Sequence, residues 1–280
     1  MQCFPLQSIL AALDYPTVDY FSLDIEGAEY PVLKTLDDLS QTDIKMLGIE
    51  INHAGEIFKG TRNDIQQYLK SNGYDFTGTC KIDDFFVKTK SVPSAKRKRN
   101  SQLIHWDLVG LDENDPKLIE TIRDEILWLP PSNDLPLNLS GGFSNNNLRG
   151  QFGQPFYVEK ILQNNSYWNP KNNGFYIEAG ADNGEKFSNS LYFEVKYGWT
   201  GLLVEPNPYL WNELKGKNRN AWILPHCLST TKKVEVMDFN LDAYVYSPYQ
   251  KDHYGALTNK NLIKENSISL DNDRMLKVIC

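Results

Sequence analysis

The chain has 280 residues, 41% of them hydrophobic and 12% aromatic, enough to bury the core of one large domain or two small ones and too apolar for a disordered segment. A formal net charge of −7 and a pI of about 5.2 argue against nucleic acid as the main partner. No apolar run approaches the length of a bilayer span, and four scattered cysteines without a CxxC pair supply no disulfide framework, so cytoplasmic thiols are the simplest reading.

Taken from the start, "MQCFPLQSILAALDYP" is apolar without a basic leader, and it predicts a buried strand and helix rather than a signal peptide. A short apolar strand follows over 18–23, ending at Asp24, and "AEYPVLKTL" then turns to helical spacing through Val32, Leu33 and Leu36. The near-continuous apolar run "DIKMLGIEIN" reads as a strand covered on both faces. "TRNDIQQYLKSNGY" reads as a helix capped by Thr61, with Ile65, Tyr68 and Leu69 inward and Gly73 at its stop. Residues 74–88 alternate around a polar middle and predict a hairpin.

The composition then changes. "TKSVPSAKRKRNSQ", 89–102, is basic and polar and reads as an exposed linker. A helix is predicted from Asp115 with Pro116 in its first turn and Leu118, Ile119, Ile122 and Ile126 inward. A stretch rich in Pro, Gly and Asn precedes a short helix at "PFYVEKIL". Two strand–turn–helix units come next, one from Gly174 and one from Gly201, the latter with Asn207 as cap, Pro208 in the first turn and Gly216 as the stop. "AWILPHCLS" reads as a third strand, "KKVEVMDFNLDAYVY" as an added antiparallel ribbon, and "MLKVIC" as a strand cut short. Alternating strands and helices imply a mostly parallel α/β sheet.

Three acid-tipped strands carry the candidate chemistry. In "YIEAGADNGE", Glu178 ends a strand and Gly180 and Gly184 bracket a turn in which, with Ala181, backbone amides can approach a ligand. Glu205 ends the next strand, where an acid commonly accepts hydrogen bonds from ribose hydroxyls. The second early glycine of a dinucleotide fingerprint is missing, so a nucleoside ligand fits better. A glycine turn of this kind also occurs without a ligand, and Glu205 taken alone serves equally as a helix cap. Asp24, Glu26 and Glu29 form the second constellation: an acid at that strand tip can meet a cofactor amine, a substrate hydroxyl or a metal ion, while Glu29 reads rather as a helix-start carboxylate. His53, after Glu50 at the next strand end, is either a general base or an ordinary surface histidine. The histidines show no metal-ligand spacing, and no metal is expected.

The segments "FYIEAGADNGEKFSNSLYFE", "GWTGLLVEPNP" and "VDYFSLDIEGAEYPVLKTL" resemble the FkbM-type methyltransferases, nearest to the animal branch that includes Star. The resemblance implies a doubly wound, Rossmann-like sheet in the order 3-2-1-4-5-7-6, mostly parallel with one antiparallel hairpin. It implies S-adenosylmethionine as cofactor, held by Glu178, Gly180, Ala181, Gly184, Glu205 and Asn207, with Asp24, Glu26 and His53 at the transfer site. The reaction it implies is methyl transfer to oxygen on an acceptor left open among small molecules, glycans and peptides. The Star branch implies an alternative, a non-enzymatic module of vesicle-mediated transport in the secretory pathway, which sets an endomembrane location against the cytoplasmic one suggested by composition.

The order of the parts departs from the family. Here "DIEGAE" precedes "EAGADNGE", and the end "KVIC" would continue into "CFPLQSIL" at the start. The expectation is a circular permutation, or a unit cut out of phase from a tandem array with neighbouring repeats as possible partners. Residues 1–88 would supply family strands 4–7, 89–150 a linker with one helix, and 151–280 strands 1–3. The two halves would dock as one domain, with Cys3 near Cys280.

Overall fold

A computed structural model of the chain describes residues 1–36, 43–89, 108–132, 135–140, 142–143, 148–164, 173–240, 256–258 and 275–276. The basic run at 96–99, within the predicted linker, and Cys280 lie outside them, so the expected approach of Cys3 to Cys280 does too.

Seven strands share one sheet. In chain order they are β2 (Tyr20–Leu23), β3 (Met46–Glu50), β4 (Tyr74–Cys80), β5 (Asp83–Lys88), β6 (Phe175–Ala179), β7 (Thr200–Val204) and β8 (Ala221–Leu224). They stand side by side as β4-β5-β3-β2-β6-β7-β8. The pairs β3–β2, β2–β6, β6–β7 and β7–β8 run parallel, whereas β5 is antiparallel to both its neighbours. A strand from the start of the chain thus lies beside one from its second half, in register Tyr20–Tyr176 through Leu23–Ala179. β2 and β6 are buried on both faces, as apolar runs without alternation require.

The two faces have separate cores. One holds Phe21, Leu23, Leu47, Ile49, Ile177, Ala179, Leu202 and Val204 under α1 (Leu6–Ala12), α2 (Glu29–Thr35) and α3 (Arg62–Ser71). The other holds Tyr20, Met46, Phe85, Tyr176 and Leu203 under α5 (Gln154–Asn164) and α6 (Leu191–Tyr197). α3 begins on the capping box of Thr61 and Asp64, a device worth about 1 kcal/mol. α4 (Pro116–Thr121), capped by Asp115 and continued by a π-helical turn through Ile126, buries Leu118 and Ile122, and Arg123 donates to the carbonyls of Ala11 and Ala12 at the end of α1. Part of the span expected to be linker therefore belongs to the core.

Three expectations need correction. "AWILPHCLS" is not one strand: β8 ends at Leu224, and after Pro225 the chain leaves for a second sheet as β9 (Cys227–Leu228), parallel to β1 (Gln2–Phe4). That sheet is completed by β10 (Glu235–Val236) on the other side of β1. The cysteines are not all thiols: the β1–β9 register sets Cys3 opposite Cys227, and they form a disulfide, leaving Cys80 as the free cysteine among the described residues. The helices after the two strand tips start later than their patterns suggest, α6 at Leu191 and α7 at Trp211 (to Gly216), because turns intervene. The predicted ribbon is present in its first part as β11 (Asp238–Asn240), which pairs with β12 (Ala256–Thr258) and β13 (Met275–Leu276).

Candidate functional site

Register places the candidate residues in one line. Val204, Ala179, Leu23 and Ile49 are successive partners across β7, β6, β2 and β3, and Glu50 faces Asp83 on β5. One position further along, Gly180 donates to the Val204 carbonyl, Asp24 to the Ala179 carbonyl and Glu205 to the Leu224 carbonyl, so the ladder continues. Glu205, Gly180, Asp24, Glu50 and Asp83 therefore form a row across the carboxyl ends of the parallel strands. Side-chain alternation puts the row on the face of Tyr20, Tyr176 and Phe85. At about 4.8 Å per strand it spans roughly 19 Å.

Gly180 is the gap in this row, and sequence dictates it twice. Its φ of +85° is costly for other residues, and a β-carbon there would lie 2.0 Å from the Asp24 carbonyl oxygen. The tips of β6 and β2 are thereby pressed together. At the turn after Asp24, Glu26 takes φ +56° and Gly27 φ +95°, and a β-carbon on Gly27 would meet the His53 carbonyl oxygen at 2.9 Å. That approach brings His53 to Glu26, Nε2 to Oε2 at 3.6 Å, while its Nδ1 lies 2.9 Å from Glu56 Oε2. Asp24, Glu26 and His53 are thus brought to one rim of the sheet.

The carboxylates differ in what they hold. Glu178 is buried and accepts from Ser188 Oγ at 2.8 Å, the Asn189 amide at 2.6 Å and Ser190 Oγ at 2.5 Å. It organises the loop into α6 and has little left for a ligand. Glu205, 5% exposed, accepts the amides of Asp182 and Asn207, each at 2.7 Å. Burial pushes its carboxyl up to about 8 against those stabilising amides. Asn207 in turn accepts the Tyr209 amide and is a turn residue. The amides of the glycine turn are mostly used internally: Gly180 and Ala181 on the Val204 carbonyl, Gly184 on that of Ala181, and Glu185 and Lys186 on Asn183 Oδ1. Those amides are therefore not free to cradle an anion.

Toward β3 and β5 donors are scarce. The Asp24 carboxyl makes no hydrogen bond or ion pair with the described residues, and burial together with the charges of Glu26, Glu50, Asp83 and Glu29 holds it well above the usual carboxylate range. Glu50, 2% exposed, accepts only the Asn52 amide on one oxygen, and the other, buried, has no partner; burial, with Glu29 nearby, pushes it up to about 8. Burial pushes Glu29 up to about 7, although its Oε1 accepts the amides of Ile25 and Gly27. Asp83, pushed by burial up to about 6, has one side-chain donor, Gln154 Nε2 at 2.8 Å. Among the described residues no group of acids, histidines or cysteines is placed to hold a metal ion.

Sequence reasoning missed Arg219, which is 1% exposed. It donates to Glu194 at 2.7 Å, to Ser190 Oγ at 2.9 Å, to Tyr176 Oη at 3.1 Å and to the Gly184 carbonyl, tying the glycine turn to the start of α6. Gln154 was missed as well. A basic or amide residue in a polar loop gives no periodic signal of burial; the repeated acids in "GEKFSNSLYFE" were the one hint that a cation must come to meet them.

The residues offering free capacity here are acceptors, Asp24 and Glu50 above all. They suit a ligand that brings positive charge and hydrogen-bond donors. The family model described as the methyltransferase FkbM domain matches residues 1–76. No curated protein and no solved structure matches the chain.

Proposed function

We propose that the chain is an S-adenosylmethionine-dependent methyltransferase that transfers the methyl group to an oxygen acceptor. The observation that carries this reading is the convergence of three strand tips: Gly180 packs on the Asp24 carbonyl while Asp182, in the same turn, donates to Glu205. Support comes from the strand order, which equals 3-2-1-4-5-7-6 in the family's numbering, and from the match of residues 1–76 to the FkbM domain. On this reading the fold is the family sheet in permuted order, with 1–88 and 151–280 contributing to a single domain.

S-adenosylmethionine supplies a methyl group made electrophilic by its sulfonium. Glu205 would take the ribose hydroxyls, beside Asn207, and Gly180, Ala181 and Gly184 would leave room for the methionine part. Glu178 would act through the loop it holds. Asp24, at the tip of β2, is placed to accept the acceptor's hydroxyl proton, and burial with neighbouring charge makes its carboxylate a stronger base than usual. Glu26 and His53 would orient the acceptor and pass that proton outward. Most of the rate gain would come from alignment of acceptor and methyl group.

A secretory compartment is part of this proposal, and the disulfide supports it. Cys3–Cys227 joins residues 224 apart, and such bonds persist in oxidising surroundings, which favours the secretory pathway over the cytoplasm. Among the described residues no helix is long and apolar enough to cross a membrane.

Calorimetric titration of the whole chain with S-adenosylmethionine tests the reading. Saturable binding that is lost in Glu205→Ala, with the variant's melting still cooperative, is the expected result. Wild-type chain that takes up no S-adenosylmethionine overturns the enzyme reading in favour of the Star-like trafficking module.

A further inference from the structure

Two adjacent carboxylates on β5 have opposite fates. Asp84 faces the α3 side, where Arg62 Nε and Nη2, Gln66 Nε2 and Thr79 Oγ1 all donate to it within 2.9 Å. Asp83 faces the other side, directly across from Glu50, and between them they hold the Gln154 amide group and one backbone amide. Like charges directly opposite on neighbouring strands repel. Arg62, on the other face, is engaged by Asp84.

Three buried acceptors have no hydrogen-bond partner among the described residues: Glu50 Oε2, Glu29 Oε2 and Asn189 Oδ1. Asn189 donates to Ser22 Oγ, one turn of the pleat below Asp24 on the same face. An unmet buried acceptor is costly unless a donor arrives. No metal-holding group exists among the described residues, so a compact divalent ion does not answer the need. A donor-only cation does: an ammonium can serve two carboxylates a strand apart and has nothing to accept.

We propose that Glu50 and Asp83 form an ammonium subsite, so that the methyl acceptor is an amine-bearing alcohol whose hydroxyl meets Asp24 and whose charged nitrogen sits one to two strands further along. The inference rests on the methyltransferase reading for its geometry: the cofactor side of the row is Glu205 and Gly180, and the acceptor side is what remains. One to two strand spacings are about 5–10 Å, the reach of a single aminated sugar ring. Asp24 stands between the two sides and serves the transfer itself.

Glucosamine and N-acetylglucosamine are the probes, since they share a ring and hydroxyls and differ in the charge of the nitrogen. Each is titrated at neutral pH into the whole chain, with and without S-adenosylmethionine. Glucosamine is expected to bind about tenfold or more tightly than its acetylated analogue, and Glu50→Gln or Asp83→Asn is expected to erase most of that ratio. Equal affinities, absence of saturable glucosamine binding, or a ratio unchanged in both variants would each overturn the subsite. S-adenosylmethionine titrated into the same samples separates the two proposals. Cofactor binding without amine preference removes the subsite alone. Amine preference lost in the variants without cofactor binding removes the methyltransferase reading and leaves a cation-binding pocket.

Discussion

The β6 tip and the β3–β5 edge lie in one sheet and solve the same problem in opposite ways. Both bury several acids on the same face. Around β6 every acid is met: Glu178 by two hydroxyls and an amide, Glu194 by Arg219 and the Asn220 amide, Glu185 by Lys217 at 2.6 Å and the Ser140 amide. Around β3 and β5, Asp24, Glu50 and Asp83 share two donors among them. A satisfied network fixes a shape, and an unsatisfied one stores a demand that a ligand can meet. On the proposed reading the first is scaffold and the second is receptor.

Removing the cation of the satisfied side should have the largest effect. Arg219→Met leaves Glu194 buried without its partner and frees the Gly184 turn, and it should cost about 3–5 kcal/mol in urea unfolding. A loss below 1 kcal/mol would deny the network its structural role. Next is Gly180→Ala, which brings a β-carbon onto the Asp24 carbonyl at positive φ. It should cost about 2–3 kcal/mol and weaken S-adenosylmethionine uptake, whereas Gly198→Ala, at φ +65° with nothing near its β-position, should cost about 1 kcal/mol.

The needy side predicts the opposite sign. Glu50, Glu205 and Glu29 keep protons in the folded chain up to about 8, 8 and 7, and lose them near 4.5 when unfolded. The folded state therefore binds more protons through that window, and stability falls as pH rises from about 4.5 to 8. Half-buried His226, lowered to about 4, acts against this up to its unfolded value of 6.5, so the decline should be clearest between pH 6.5 and 8. Glu50→Gln should raise stability at pH 8 by about 1–3 kcal/mol and change little at pH 4.5. Thermal melting across pH checks this, and a Glu50→Gln chain no more stable than wild type at pH 8 would mean the acid is not strained. The smallest effect is expected at the met acid beside it: Arg62→Gln, half-exposed, should cost about 0.5–1 kcal/mol.

Much of this was legible in the sequence. The strands β2, β3, β6 and β7 announce themselves as apolar runs that end on an acid or a glycine, and "DYFSLDIEG" and "FYIEAGADNG" name Asp24, Glu178 and Gly180 outright. What the runs could not carry was pairing. That Glu50 stands opposite Asp83 depends on the hairpin's register with β3, and neither residue looks unusual in isolation. The disulfide was hidden for the same reason: Cys3 and Cys227 are 224 residues apart and meet because β1 and β9 pair. Glu178 was recognised as central, but nothing in its own segment tells that Ser188, Asn189 and Ser190 turn back on it.

One titration bears most directly on the whole account, because it asks whether the tips of β6, β7 and β2 make a single pocket for a positively charged nucleoside. S-adenosylmethionine is added to the whole chain and to Asp24→Asn, which keeps the residue's size and removes its charge. The account predicts one molecule bound per chain, with affinity reduced about tenfold or more in the variant. No saturable binding to the wild-type chain, or equal binding to both, would contradict it.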